Sequence, residues 1–149
     1  MAGRLLETIK LKKAKSFVRI NGDSPLLDPK IVNRAIQTYR KGDYDLVTNV
    51  FPRSFPVGQS VEVIRTSSFV TAYKKMSTTD HFEHVTKYYY EHPDEFRIRN
   101  FSNERDLSSY RLVVDTLEDL KRIEEIICSM TKPHTEYSLN DLIDLYPST

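Results

Sequence analysis

Tryptophan is absent from this sequence, glycine occurs only 4 times, cysteine once, and neither sign of charge dominates. Each shortage removes a class of explanation. With Cys128 alone, an internal disulfide and a cysteine-rich zinc site are both excluded, and the residue reads as a small apolar helix position. The 22 basic and 21 acidic side chains leave a net charge of +1. No general field therefore draws the chain to nucleic acid or an anionic membrane, and any anion site must be local. No apolar run approaches the ~20 residues that span a bilayer. Charge interrupts the opening Met1-Ala2-Gly3-Arg4 too early for a signal peptide, so the expectation is a soluble, cytoplasmic protein with no membrane partner. No GxGxxG, phosphate loop or nucleophile elbow occurs, which leaves dinucleotide chemistry and covalent catalysis without support.

What remains is a chain of 149 residues, rich in tyrosine (9) and phenylalanine (7). That length fits one α/β domain able to bury about two-thirds of its unfolded surface. Apolar positions at Leu5, Ile9 and Leu11 predict a short amphipathic helix over 5–15. Phe17, Val18 and Ile20 suit a buried strand over 15–20. Asn21-Gly22 is turn chemistry, and Asp28-Pro29 sets an N-cap before a helix over 29–39. Leu46 to Val50 reads as a second buried strand, so strand, helix, strand suggests a parallel pair with a right-handed crossover.

A loop over 52–58 precedes an alternating strand over 60–64 and a helix over 66–76. A further helix is predicted over 80–91, strands over 96–101 and 110–114, and a helix over 116–130 burying Leu117, Leu120, Ile123, Ile126 and Ile127. Asp115-Thr116-Leu117-Glu118 fits a capping box at its start. A short terminal helix over 138–146 belongs to an extension spanning 131–149.

Asp23 and Asp115 both follow strands and precede turns. If those strands are neighbours, the two carboxylates can share one magnesium ion, because magnesium takes one or two carboxylates plus substrate phosphates. Two plainer readings stand beside this: a turn aspartate near Pro25 for Asp23, and a cap paired with Glu118 for Asp115. His81, Glu83, His84 and His92 lack zinc-protease spacing. Hydrogen bonding to a polar ligand suits Glu83 and His84 better. Three consecutive tyrosines, Tyr88 to Tyr90, point in different directions around a helix. Arg53, Arg97, Arg99 and Arg111 offer forks for phosphate or carboxylate, although solvated faces explain most of them.

Four stretches occur together in a familiar order: Arg19-Ile20-Asn21-Gly22-Asp23-Ser24-Pro25-Leu26-Leu27-Asp28-Pro29, Phe55 to Val63, Glu83-His84-Val85-Thr86, and Val114 to Leu120. Over residues 4–130 the chain resembles the cytidylyltransferases that make CMP-activated acidic sugars, in the branch of spore coat polysaccharide synthesis related to CMP-KDO synthetase and acylneuraminate cytidylyltransferase. The resemblance implies a Rossmann-like nucleotide-diphospho-sugar transferase fold, a mixed sheet flanked by helices, of which this chain supplies the carboxyl-terminal portion. It also implies attack of a sugar hydroxyl on the α-phosphate of CTP, with magnesium as cofactor.

By that resemblance Asp23 and Asp115 are the catalytic metal ligands, and Asn21, Gly22, Gly58, Glu62, Glu83, His84 and Thr86 line the substrate side. The family's opening strand and basic glycine loop have no counterpart before Arg4. This reading therefore expects an isolated chain without activity, with either a homo-oligomer or a missing amino-terminal half as partner. The alternative is a non-catalytic assembly module with an exposed sheet edge.

Overall fold

In the computed structural model, which describes residues 1–147, four strands are ordered β1 (Ser16–Arg19), β3 (Glu62–Arg65), β2 (Leu46–Thr48) and β4 (Ile98–Asn100). β3 runs antiparallel to both β1 and β2, whereas β2 and β4 are parallel. This corrects one expectation. β1 and β2 point the same way but are not a pair, because the nearly fully buried β3 lies between them. A mixed sheet with helices on both faces results, in agreement with the α/β class read from the sequence.

Alternation along the strands separates two cores. Val47, Val61 and Val63 face one side, against Ile31 and Ala35 of α2 (Pro29–Arg40) and Ile123 and Ile126 of α6 (Leu117–Cys128). Leu46 and Ile64 face the other, against α1 (Ala2–Lys12), α3 (Thr66–Lys75) and α5 (Lys87–Glu91). The predicted helix over 80–91 is in fact two, α4 (Thr79–Glu83) and α5, because His84 leaves helical geometry. That break seats Val85 fully in the core, and Tyr88 and Tyr89 follow it inward. No helix among the described residues is long and apolar enough to cross a membrane.

Three further departures follow, two of them at the margins of the sheet. Val18 and Ile20 are 38% and 54% exposed because β1 is an edge strand. The stretch 110–114 is no strand: it makes one bridge, Val57 to Arg111, and Val114 then turns to the Asp23 carbonyl. On α6, Leu117 is 79% exposed and Leu120 and Ile127 also face outward, so a narrow stripe centred on Ile123 and Ile126 makes the contact.

The carboxyl-terminal extension joins the same core. Leu139 and Leu142 of α7 (Leu139–Asp144) are buried with Leu26 and Phe55, and the Leu139 N–H donates to the Asp28 carboxylate at 2.9 Å.

Candidate functional site

The carboxyl ends of β1 and β2 form one rim, which is where ligands bind in open α/β sheets. β1 ends at Arg19, and the chain then turns through Asn21, Gly22 and Asp23 before Asp28 caps α2, accepting from the Lys30 N–H at 2.7 Å. Two buried amides fix this turn to the sheet. Gln59 donates to the Leu26 carbonyl at 2.8 Å and accepts from the Asp28 N–H at 3.0 Å. Asn49 donates to the Gln59 carbonyl and accepts from the Val61 N–H. Unpaired, such buried backbone groups would each cost about 1–3 kcal/mol.

Met1, Leu5, Arg19, Ile20, Asn21, Gly22, Asp23, Glu83 and His84 line a cleft of about 350 Å³, in which the Met1 ammonium lies 3.5 Å from the Glu83 carboxylate. Five of the residues named from sequence thus converge: Asn21, Gly22, Asp23, Glu83 and His84. Gly58, Glu62 and Thr86 are not among the residues that line it. Each is buried for a structural reason. Gly58 has φ +97°, and a Cβ there would overlap the Leu112 carbonyl. Thr86 begins α5, its carbonyl accepting the Tyr89 N–H at 3.1 Å. Glu62, only 3% exposed, accepts from Arg19 at 2.6 Å and from the Tyr90 hydroxyl at 2.5 Å.

Asp115 lies outside this cleft lining but is tethered to it. The Val114 N–H donates to the Asp23 carbonyl at 2.9 Å, fastening the segment that carries Asp115 to the turn that carries Asp23. The cap of α6 falls one residue later than the sequence suggested: Thr116 is the N-cap and Asp119, not Glu118, completes the box. Asp115 is therefore released from capping, and one of its oxygens accepts from Arg111 at 3.0 Å. Beneath it, Asp119 takes a two-pronged bond from Arg111 (3.1 and 2.9 Å) and another from Arg122 (2.9 Å). The Arg111 bond holds the Asp119 carboxyl well below the usual carboxylate range, and Arg111 is raised in turn.

Asp23 is exposed and accepts from the Ser24 hydroxyl at 2.9 Å. Among the described residues no group of three or more His, Cys, Asp or Glu side chains could hold a metal ion. Two hard, exposed carboxylates suit magnesium, which keeps its waters and completes its shell with substrate phosphates, and do not suit zinc. The remaining arginines divide. Arg97 pairs with Asp43 and Asp45 away from the rim, while half-buried Arg53 donates to the Pro56 carbonyl and the Ser60 hydroxyl.

Arg19 had no expected role in the site, and Tyr90 is one of the three consecutive tyrosines spread around the predicted helix. The signal for Arg19 was its place four residues before Asp23, at the last position of a strand.

Comparison with known proteins agrees with this geometry. A family model described as "Cytidylyltransferase" matches residues 3–143. The spore coat polysaccharide biosynthesis protein SpsF of Bacillus subtilis is 27% identical over 128 residues, covering 83% of this chain and 51% of that protein. Protein MJ1063 of Methanocaldococcus jannaschii is 28% identical over 125 residues, covering 83% and 50%. The chain spans about half the length of the curated relatives it matches. A solved structure, that of a cytidylyltransferase from Leptospira borgpetersenii, superposes with a TM-score of 0.91 at 29% identity, over 97% of this chain and 60% of that one. A match running through nearly every element that builds the rim places this chain in the cytidylyltransferase family.

Proposed function

We propose that this chain carries the metal-binding and acceptor side of a site that transfers CMP from CTP to a hydroxyl of an acidic sugar, releasing pyrophosphate. The observation that supports it most is the Val114 to Asp23 hydrogen bond, since it ties together the two segments whose aspartates would share magnesium. In this reading Asp23 and Asp115 hold the ion by one carboxylate each. When bound, it neutralises phosphate oxygens, and phosphoryl transfer consists mostly of such neutralisation and of positioning. Asn21 and the Gly22 backbone shape the wall beside the phosphates, while Glu83 and His84, both exposed at the cleft, hydrogen-bond the acceptor hydroxyls.

The test follows pyrophosphate release from CTP, magnesium and N-acetylneuraminate. The reading expects the 149 residues alone, which span about half the length of each curated relative, to bind nucleotide with little turnover. Turnover at an ordinary enzyme rate would refute the expected inactivity, and nucleotide binding that calorimetry finds independent of magnesium would count against the shared metal site.

A second reading, an assembly module, is favoured by one feature. The outer edge of β1 has no strand partner among the described residues, and it flanks an apolar groove of about 460 Å³ formed with Leu5 and Ile9 of α1. Unpaired edges template association. Sedimentation at high concentration separates the two, since a clean monomer removes self-assembly.

A further inference from the structure

At the carboxyl end of β1, sheet register and one helix break build a small charged device. Arg19 on β1 faces Glu62 on β3, and Glu62 faces Thr48 on β2, so the three form one row across the sheet. From α5, Tyr90 covers that row. Its hydroxyl donates to Glu62 at 2.5 Å and lies 2.9 Å from the Thr48 hydroxyl, which is left to act as donor. The Phe51 ring stacks on Tyr90 at 4.9 Å. Burial, followed by the charge of Glu62, raises the Tyr90 phenol and keeps it protonated as a donor.

Glu62 thereby has both oxygens engaged and is nearly inaccessible. A buried carboxylate in this state is fixed in place and cannot itself meet a ligand. Its accessible partner is Arg19, 17% exposed in its side chain and part of the cleft wall. A guanidinium has five N–H donors, and among the described residues Arg19 spends one of its side-chain nitrogens, on Glu62. Arg53, whose guanidinium is pushed down by burial and feels Glu62 and Tyr90, has no carboxylate partner within bonding distance among the described residues.

We propose that Arg19 is the oxyanion-binding residue of the cleft, seating a phosphate or carboxylate group of the substrate on its free donors, and that Glu62 and Tyr90 are the positioning residues that aim it. The inference rests on reading the cleft as a substrate site. On the same wall the Asp23 carboxylate opposes a bare anion, while Glu83 is met by the Met1 ammonium at 3.5 Å.

The test is an NMR titration of the 149-residue chain, following the Arg19 side-chain Nε–H signal, assigned by its loss in Arg19→Lys. Inorganic pyrophosphate probes the phosphate source, and N-acetylneuraminate compared with its methyl ester probes the carboxylate source. The expected result is a saturable shift with one or both anions, none with the ester, and affinity lowered about tenfold in Arg19→Gln and less in Arg19→Lys.

Tyr90→Phe and Glu62→Gln, assayed below their melting temperatures, are expected to weaken the same anion several-fold. Lowered melting with unchanged anion affinity would show that both only support the fold, and would overturn the positioning roles. An Arg19 signal that neither anion moves would overturn the proposal. CTP separates the two levels. If pyrophosphate binds at Arg19 but CTP binds no tighter, the nucleotide-transfer reading fails while this assignment stands.

Discussion

Replacing Gly58 by alanine should unfasten the rim without touching any of its charged groups. The new Cβ meets backbone rather than a yielding side chain: it would overlap the Leu112 carbonyl and approach the Val113 nitrogen to 2.8 Å. A positive φ costs a non-glycine residue about 1–2 kcal/mol, and displacing packed atoms costs about 1–3 kcal/mol. Together these predict a loss of about 3 kcal/mol, or a fall in Tm of roughly 6–12 °C for a domain of this size. The displaced stretch leads directly to Val114, whose N–H holds Asp23, and to Asp115. Circular dichroism measures the melting, and hydrogen exchange measures the Leu112 and Val114 amides, which should lose protection. Melting within about 1 °C of wild type with both amides still protected would refute the steric argument.

Much of the rim was legible in the sequence because its parts carry local chemistry. Asp28-Pro29 announces a helix start, and Asn21-Gly22 announces a turn. Each acts over a few residues, and each forms as expected. The family likeness and α/β class were legible for the same reason, as ordered short motifs. Strand order was not, since only long-range pairing inserts β3 between β1 and β2. Nor was the burial of Glu62. Glu62 was placed on the substrate side by resemblance alone, and only the register with Arg19 and the descent of Tyr90 from α5 show it turned inward. The cap shift from Asp115 to Thr116 is a one-residue matter that sequence patterns do not resolve.

Three other outcomes are expected. Gln59→Leu leaves the Asp28 N–H and the Leu26 carbonyl buried without partners, so urea unfolding should show a loss of about 2–4 kcal/mol, and a change below about 1 kcal/mol would contradict that role. Asp119 has its folded pKa depressed, so its contribution is complete above the unfolded value near pH 4 and fades as pH falls toward the folded one. Wild-type melting should therefore drop with acid below about pH 4 more steeply than that of Asp119→Asn, and parallel acid curves would remove the carboxylate from the account. Replacing the exposed Val18 by lysine on the free edge of β1 should leave Tm nearly unchanged while abolishing any self-association seen by sedimentation.

We propose a magnesium site shared by Asp23 and Asp115 beneath CTP, and calorimetry tests it most directly. Titrating CTP into the chain with and without magnesium should give binding that depends on the ion and weakens about tenfold or more in both Asp23→Asn and Asp115→Asn. Magnesium-dependent CTP binding left unchanged by either substitution would contradict it.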